Sequence, residues 1–347
     1  MAVVFHQNLS APTHPRVSVC IANFDGEALL PACLDSVLAQ EGNATIEILV
    51  HDDGSRDGSL ALLRRCYPHV HVLASEENVG FCVGNNRMVS RARGEYVLLL
   101  NNDAALAPDA IRCLLDEASL IGTQAILTLP QLDWETGRLV DRGCLLDPFF
   151  NPVPNLDPER IDVAYVIGAC LWIPRASWHA LGGFPKWMES IGEDLYLCGV
   201  ARLRGMPVRA LRDSHYRHRQ GATFGGNRAD AGLRTSLRRR RLSERNKTRA
   251  LMVLTPGLGM WPLLAAHLVA LAGEGLVLSL LRHDATLLRQ VYIPALAVPF
   301  REYAVLGARR LQEQNERTAS VGQWFSAVRW QLRKVAMLRQ YGVPEIH

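Results

Sequence analysis

Four aliphatic runs recur along the first hundred residues, and each stops at a polar cluster: "VSVCIANFDGE" from Val17, "IEILVHDDGS" from Ile46, "VHVLASEEN" from Val70 and "YVLLLNND" from Tyr96. A continuous aliphatic stretch reads as a strand covered on both faces, and its polar end marks where the chain leaves the core. Between the runs lie segments with helical spacing: Leu29, Leu30, Cys33, Leu34, Val37 and Leu38, then Leu60, Leu62, Leu63 and Cys66. Strand, helix and strand at this interval predict parallel βαβ units with right-handed crossovers, and so an α/β fold. The chain can bury the core this needs, with 347 residues of which 48% are hydrophobic and 21% charged.

In an open parallel sheet, ligands bind beyond the carboxyl ends of the strands, where the strand order reverses. Each of the four runs ends there in side chains suited to a nucleotide: Asn23, Asp25 and Glu27; Asp52, Asp53 and Ser55; Glu76, Glu77 and Asn78; Asn101, Asn102 and Asp103. Any one tip is explained equally well as turn chemistry, but four on one edge predict a site. Neither Gly-x-Gly-x-x-Gly after the first run nor a phosphate-binding Gly-x-x-x-x-Gly-Lys loop occurs, so bound phosphates need another counter-charge. A divalent cation held by carboxylate and substrate oxygens supplies one. The eight cysteines are widely spaced without a Cys-x-x-Cys pair, which points to neither a zinc site nor a disulfide framework and fits a reducing compartment.

Taken in order, "VSVCIANFDGEALLPACLDSVLAQ", "HDDGSRDGS", "ENVGFCVGNNRMVSRARGEYVLLLNND", "GACLWIPRASWHALGGF", "GEDLYLC", "HRQGATFG" and "SERNKTR" resemble the signatures of the family 2 glycosyltransferases, in particular the bacterial rhamnosyltransferase-like branch. The resemblance runs from about Val17 to Arg249. It implies a GT-A fold, a Rossmann-like mostly parallel sheet flanked by helices, and transfer of a sugar from a nucleotide diphosphate with inversion.

By the same resemblance, Asn101, Asn102 and Asp103 occupy the three places of the Asp-x-Asp metal motif. Asn101 replaces the first acid, which leaves Asp103 as the carboxylate for Mn2+ or Mg2+. His218 aligns with the family's second ligand, with His215 as competitor. Imidazole favours manganese over magnesium. Asp194 corresponds to the base that deprotonates the acceptor hydroxyl, and Glu193 positions it or the acceptor. The family often has another aspartate where this chain has Tyr196, a departure that bears on acceptor contacts. Asp52 is implied to hydrogen-bond the nucleotide base, with Asn23 and Glu27 near base and ribose. Asp53 shares that work or holds the turn, and Asn78 and Asn102 complete the donor side. An acid accepting from a pyrimidine imide N–H favours UDP or dTDP, carrying rhamnose or another hexose.

After Asn246 the composition changes. Residues 250–281 carry only His267 and Glu274 as titratable groups, and Trp261–Leu281 has the length of a membrane span. Glu274 between Gly273 and Gly275 favours an interfacial or packed helix over a span, without excluding the latter. Arg234, Arg238, Arg239, Arg240, Arg241, Arg245, Lys247 and Arg249 precede it, a basic stretch of the kind an anionic leaflet attracts. A solvated helix face is the plain alternative, and no recognition motif favours nucleic acid.

The resulting division is an extension over 1–15, a catalytic domain over 16–230 and a basic, apolar helical region over 231–347. "MAVVFHQNLSAPTHPRVSV" has no basic segment followed by an apolar one, so no secretory signal is expected. The expected place is the cytoplasm at the inner face of the membrane, with a glycan or lipid-linked acceptor. Two rival readings are a non-catalytic nucleotide-sugar-binding subunit, with Asn101 as a decayed ligand, and nucleotidyl transfer. The second is disfavoured because "ANFDGEALL" carries no basic group.

Overall fold

Val17–Asn23 is the hub of the sheet that its aliphatic pattern predicts. Along the chain the strands begin β1 (Val3–His6), β2 (Val17–Asn23), β3 (Ile46–Asp53), β4 (His71–Ser75), β5 (Tyr96–Asn101), β6 (Ala104–Leu106), β7 (Ile126–Thr128), β8 (Gln131–Asp133) and β9 (Leu139–Asp141). They continue with β10 (Cys144–Leu146), β11 (Pro152–Pro154), β12 (Cys170–Pro174), β13 (Val208–Ala210) and β14 (Tyr216–His218). Strand β2 pairs in parallel with both β3 and β5, and β3 with β4. The eight-stranded sheet has the order β1-β4-β3-β2-β5-β12-β7-β13, with β1 and β12 running antiparallel to their neighbours β4 and β5. The four expected strands are therefore consecutive in the sheet, and the order reverses beside β2.

These structural statements cover residues 3–8, 11–122, 124–219 and 234–346 of a computed structural model. The connecting helices are α1 (Leu30–Leu38), α2 (Ser59–Cys66), α3 (Phe81–Arg91) and α4 (Ala110–Ile121), followed by α5 (Arg175–Leu181) and α6 (Glu193–Leu203). Val19, Ile21, Val50, Leu98 and Leu100 join Leu30, Leu34, Leu63 and Ile111 in one cluster on one face. Helix α3 crosses the other face, where Gly84 lies against the His51 ring. Cover on both faces is why the runs are aliphatic rather than alternating, and each fully buried Leu, Ile or Val contributes roughly 1.5–3 kcal/mol.

A second, four-stranded sheet has the order β6-β14-β8-β9. Its register sets His218 opposite Ala104 on one side and opposite Asp133 on the other. The Pro-rich stretch from Pro130 to Arg160 contains β8 to β11. Strands of three residues are too short to leave a periodic signal.

The chain forms two units: Met1–Gly143, Pro154–Leu197 and Met206–Arg219, and separately Cys144–Val153, Cys198–Gly205 and Gln220–His347. The second unit contains α7 (Leu237–Leu254), α8 (Met260–Leu281), α9 (Ile293–Arg301), α10 (Tyr303–Asn315), α11 (Val321–Phe325) and α12 (Arg333–Tyr341). Its apolar cluster gathers Leu271, Leu278, Leu287, Val291, Tyr292 and Ala295. Beside it the basic stretch turns partly inward. Arg240 pairs with Glu274 and Tyr292, Lys247 with Glu244 and Asn151, and Arg249 with Glu302. Lys334 pairs with both Glu244 and Glu274. Buried charges survive only when paired, so part of the arginine run is interior structure, while Arg238 and Arg241 remain exposed.

Candidate functional site

The parallel register aligns the polar strand ends: Asn23 stands opposite Asp52, and Ala22 opposite Asn101. Side chains then bridge the three strands. Asn102 Nδ2 donates to Asn23 Oδ1 at 2.8 Å, and Asn23 Nδ2 donates to Asp52 Oδ2 at 2.9 Å. The other Asp52 oxygen accepts from the Ser55 backbone N–H at 3.1 Å. All three side chains are buried, so this relay fixes the edge between β5, β2 and β3. Gly26 makes it possible by close approach, since a Cβ there would lie 2.1 Å from Asn23 Oδ1 and 2.3 Å from Asn102 Nδ2.

Asp53 accepts from the backbone N–H groups of Val79 (2.7 Å) and Gly80 (2.9 Å), which anchors the loop entering α3. It holds the turn. Glu27 accepts from Gly58 N–H at 3.0 Å and is solvent-exposed, as is Asn78. Both stand at the rim of the edge rather than in the relay.

Beyond the end of β5, Asp103 Oδ1 lies 3.1 Å from His218 Nε2. Both residues are buried, and Asn101 Nδ2 is 3.4 Å from the same nitrogen. The β6–β14 ladder brings them together, and Arg219 N–H closes it by donating to the Asp103 carbonyl at 3.0 Å. His215 lies an odd number of residues away, with its carbonyl bonded to Ala107, and is not the histidine at Asp103. Gln220–Gly225, the rest of the "HRQGATFG" element, lies outside the described residues.

A divalent ion fits the pair on two counts. Among the described residues Asp103 Oδ1 is buried with no neighbour but the His218 ring to satisfy it, which leaves room in its coordination for a cation. Adjacent ligands of an octahedral ion with bonds of about 2.0–2.1 Å lie roughly 3 Å apart, the spacing found here. Among the described residues no cluster of three His, Cys, Asp or Glu forms, so substrate oxygens and water have to complete such a shell.

Asp194 opens α6, where its charge complements the helix dipole. Its Oδ2 accepts from Gly168 N–H at 3.0 Å, and the next carbonyl, Ala169, accepts from Asn101 N–H at 3.1 Å. This short backbone bridge ties the acid to the end of β5. Glu193 is buried beside it. The approach is strained: Glu189 and Ile191 have φ of 64° and 67°, before Gly192 at 96°. Positive φ at a β-branched residue is a true outlier, and such strain collects where side chains must be aimed.

Sequence reasoning missed two groups. Buried Cys82 lies close enough to Glu193, Asp194 and Glu189 for burial and then their charge to hold its thiol protonated. Asp141, on β9, is buried; desolvation pushes its carboxyl up to about 7, while the Gly143 N–H and His218 pull the other way. Neither belongs to a motif. Only an acid at an inward position of a recognised strand could have flagged Asp141, and its strand has three residues.

Residues 18–176 match the family described as Glycosyl transferase family 2. The chain is 28% identical over 188 residues to a chondroitin synthase of Pasteurella multocida, covering 53% of this chain and 18% of that one. It is 27% identical over 198 residues to the N-acetylglucosaminyl-diphospho-decaprenol L-rhamnosyltransferase of Mycobacterium tuberculosis, covering 47% and 64%. The chain thus spans less than two thirds of either relative's length. In structure it resembles GalNAc-T7, solved with UDP, GalNAc and Mn2+, at a TM-score of 0.56 and 16% identity over 70% of this chain and 48% of that one. Residues 18–176 are therefore similar to glycosyl transferase family 2, the chain is also similar to a bacterial rhamnosyltransferase, and its fold is that of the GT-A neighbours.

Proposed function

We propose that the chain transfers a sugar, rhamnose or another hexose, from a UDP- or dTDP-sugar to a glycan or lipid-linked acceptor, with inversion, in cell-surface polysaccharide synthesis at the inner face of the membrane. The observation that carries this is the Asp103–His218 pair, 3.1 Å apart and buried, at the carboxyl edge where the strand order reverses. A divalent ion, Mn2+ or Mg2+, bound there would neutralise charge on the departing diphosphate. The Asn102–Asn23–Asp52 relay holds the donor-side edge rigid, so that the nucleotide meets a preformed surface.

Asp194 takes the proton from the acceptor hydroxyl as that oxygen attacks the anomeric carbon, in a single displacement that inverts it. The Gly168 N–H donates to its carboxylate and aims it. Glu193 positions Asp194 or the acceptor. Asn101 in place of an acid weakens the cation site without abolishing it, because diphosphate oxygens contribute ligands.

Calorimetry of UDP, dTDP and GDP with and without Mn2+ tests the reading, beside Asp103→Ala. The expected result is metal-dependent binding of one pyrimidine nucleotide, weakened at least about tenfold in the variant. Absence of binding to all three would overturn it in favour of a non-catalytic subunit.

A further inference from the structure

Helix α8 has its polarity inside out. Its two titratable residues face the protein: His267 is buried with Nε2 2.9 Å from Thr248 Oγ1, and Glu274 is paired with Arg240 and Lys334. Burial, followed by the nearby Lys247, lowers the His267 pKa to about 3 and keeps the ring neutral. The outward face runs through Trp261, Val269, Leu276, Val277, Leu280 and Leu281, with Val269 74% and Leu280 72% exposed. No exposed position from Trp261 to Leu281 carries a charged side chain. At 1.5 Å per residue this face is about 30 Å long, and Phe300, Tyr303 and Val305 extend the exposed apolar surface of the unit.

We propose that this face is a docking surface for an anionic lipid bilayer, with α8 lying in the interface rather than crossing it. The inference deepens the reading of a chain that works at a membrane and rests on it. Charge selects the occupant. Residues 237–346 carry seventeen Lys and Arg against seven Asp and Glu, whereas the rest of the chain carries twenty-one against twenty-seven. A second copy offering the same face would set two net-cationic helical regions together, whereas an anionic leaflet complements them and the exposed Arg289 and Arg301. The uncharged helix face suits a partner that needs no directional bonds.

Packing excludes a span. Gly275 seats α8 on Tyr292 so closely that a Cβ would come within 2.7 Å of the ring, and the Glu274 pairs bind α8 to α7 and α12. Crossing the bilayer would break those pairs and leave a carboxylate at membrane depth.

Flotation of the full chain with phosphatidylcholine vesicles, with and without phosphatidylglycerol, tests the surface. Two variants accompany it: Leu276→Glu with Leu280→Glu, and Arg289→Glu with Arg301→Glu. Binding confined to the anionic vesicles is expected, lowered about tenfold by either pair with unchanged circular dichroism. Wild-type chain that fails to float, variants that float like wild type, a dimer in light scattering that Leu276→Glu with Leu280→Glu splits, or resistance to alkaline extraction would each overturn it. Binding of UDP, dTDP and GDP measured on the same protein separates the two readings. Vesicle binding without nucleotide binding sinks the transferase and spares the surface, and the reverse result sinks the surface alone.

Discussion

Glu47 shows how a buried acid can hold the sheet that carries the site. Ser18 Oγ and Arg93 N–H each donate to its Oε1 at 2.6 Å, and Arg93 Nε donates to Oε2 at 2.9 Å. Burial alone would raise its pKa, but these donors and His71 outweigh burial and hold it down at about 2. A carboxylate depressed in the folded state adds stability above its unfolded pKa, near 4.5, and that stability is lost as pH falls towards 2. Glu47→Gln is therefore expected to cost on the order of 3 kcal/mol at pH 7 and much less at pH 3. Urea titrations at both pH values measure this, and equal costs would show that the charge is irrelevant. At this scale the sequence was a partial guide. It marked Asp52 at the polar edge, but not that its oxygens would accept from Asn23 and Ser55, because a side chain's partners depend on segments apart in the chain.

Among the elements, β2, β3, β4 and β5 and the helices α1 and α2 were legible, since each carries enough residues for its period to show. Strands β6, β8 and β14 were not, and their pairing places His218. The turn after β2 also has a requirement that no periodicity reveals: Gly26 must approach the Asn23–Asn102 bond. Gly26→Ala is expected to push those amides apart and weaken nucleotide binding about tenfold or more, with thermal stability lowered by roughly 1–3 kcal/mol. Calorimetry and melting of the variant check both. Unaltered binding would remove the relay from the donor site.

For the whole molecule, the charge imbalance between residues 237–346 and the rest makes salt a diagnostic. Screening shortens to about 8 Å at physiological ionic strength, so vesicle binding is expected to fall steeply between low and high NaCl while UDP binding changes less. Flotation across a salt series reads this, and a salt-independent bound fraction would leave the apolar face of α8 as the whole attraction. The sequence by itself determined the α/β class, the four central strands and the polar edge at their ends. Burial along a strand or helix is written in local spacing, which survives without any partner. Tertiary structure decided which distant groups meet. His218 reaches Asp103 only through the β6–β14 register, 117 positions beyond Asn101. Likewise the inward turn of Glu274 and part of the arginine run depends on buried charges finding one another. Pairing between remote segments is settled by the packed whole, because no local period encodes which strand or which ion will be the neighbour.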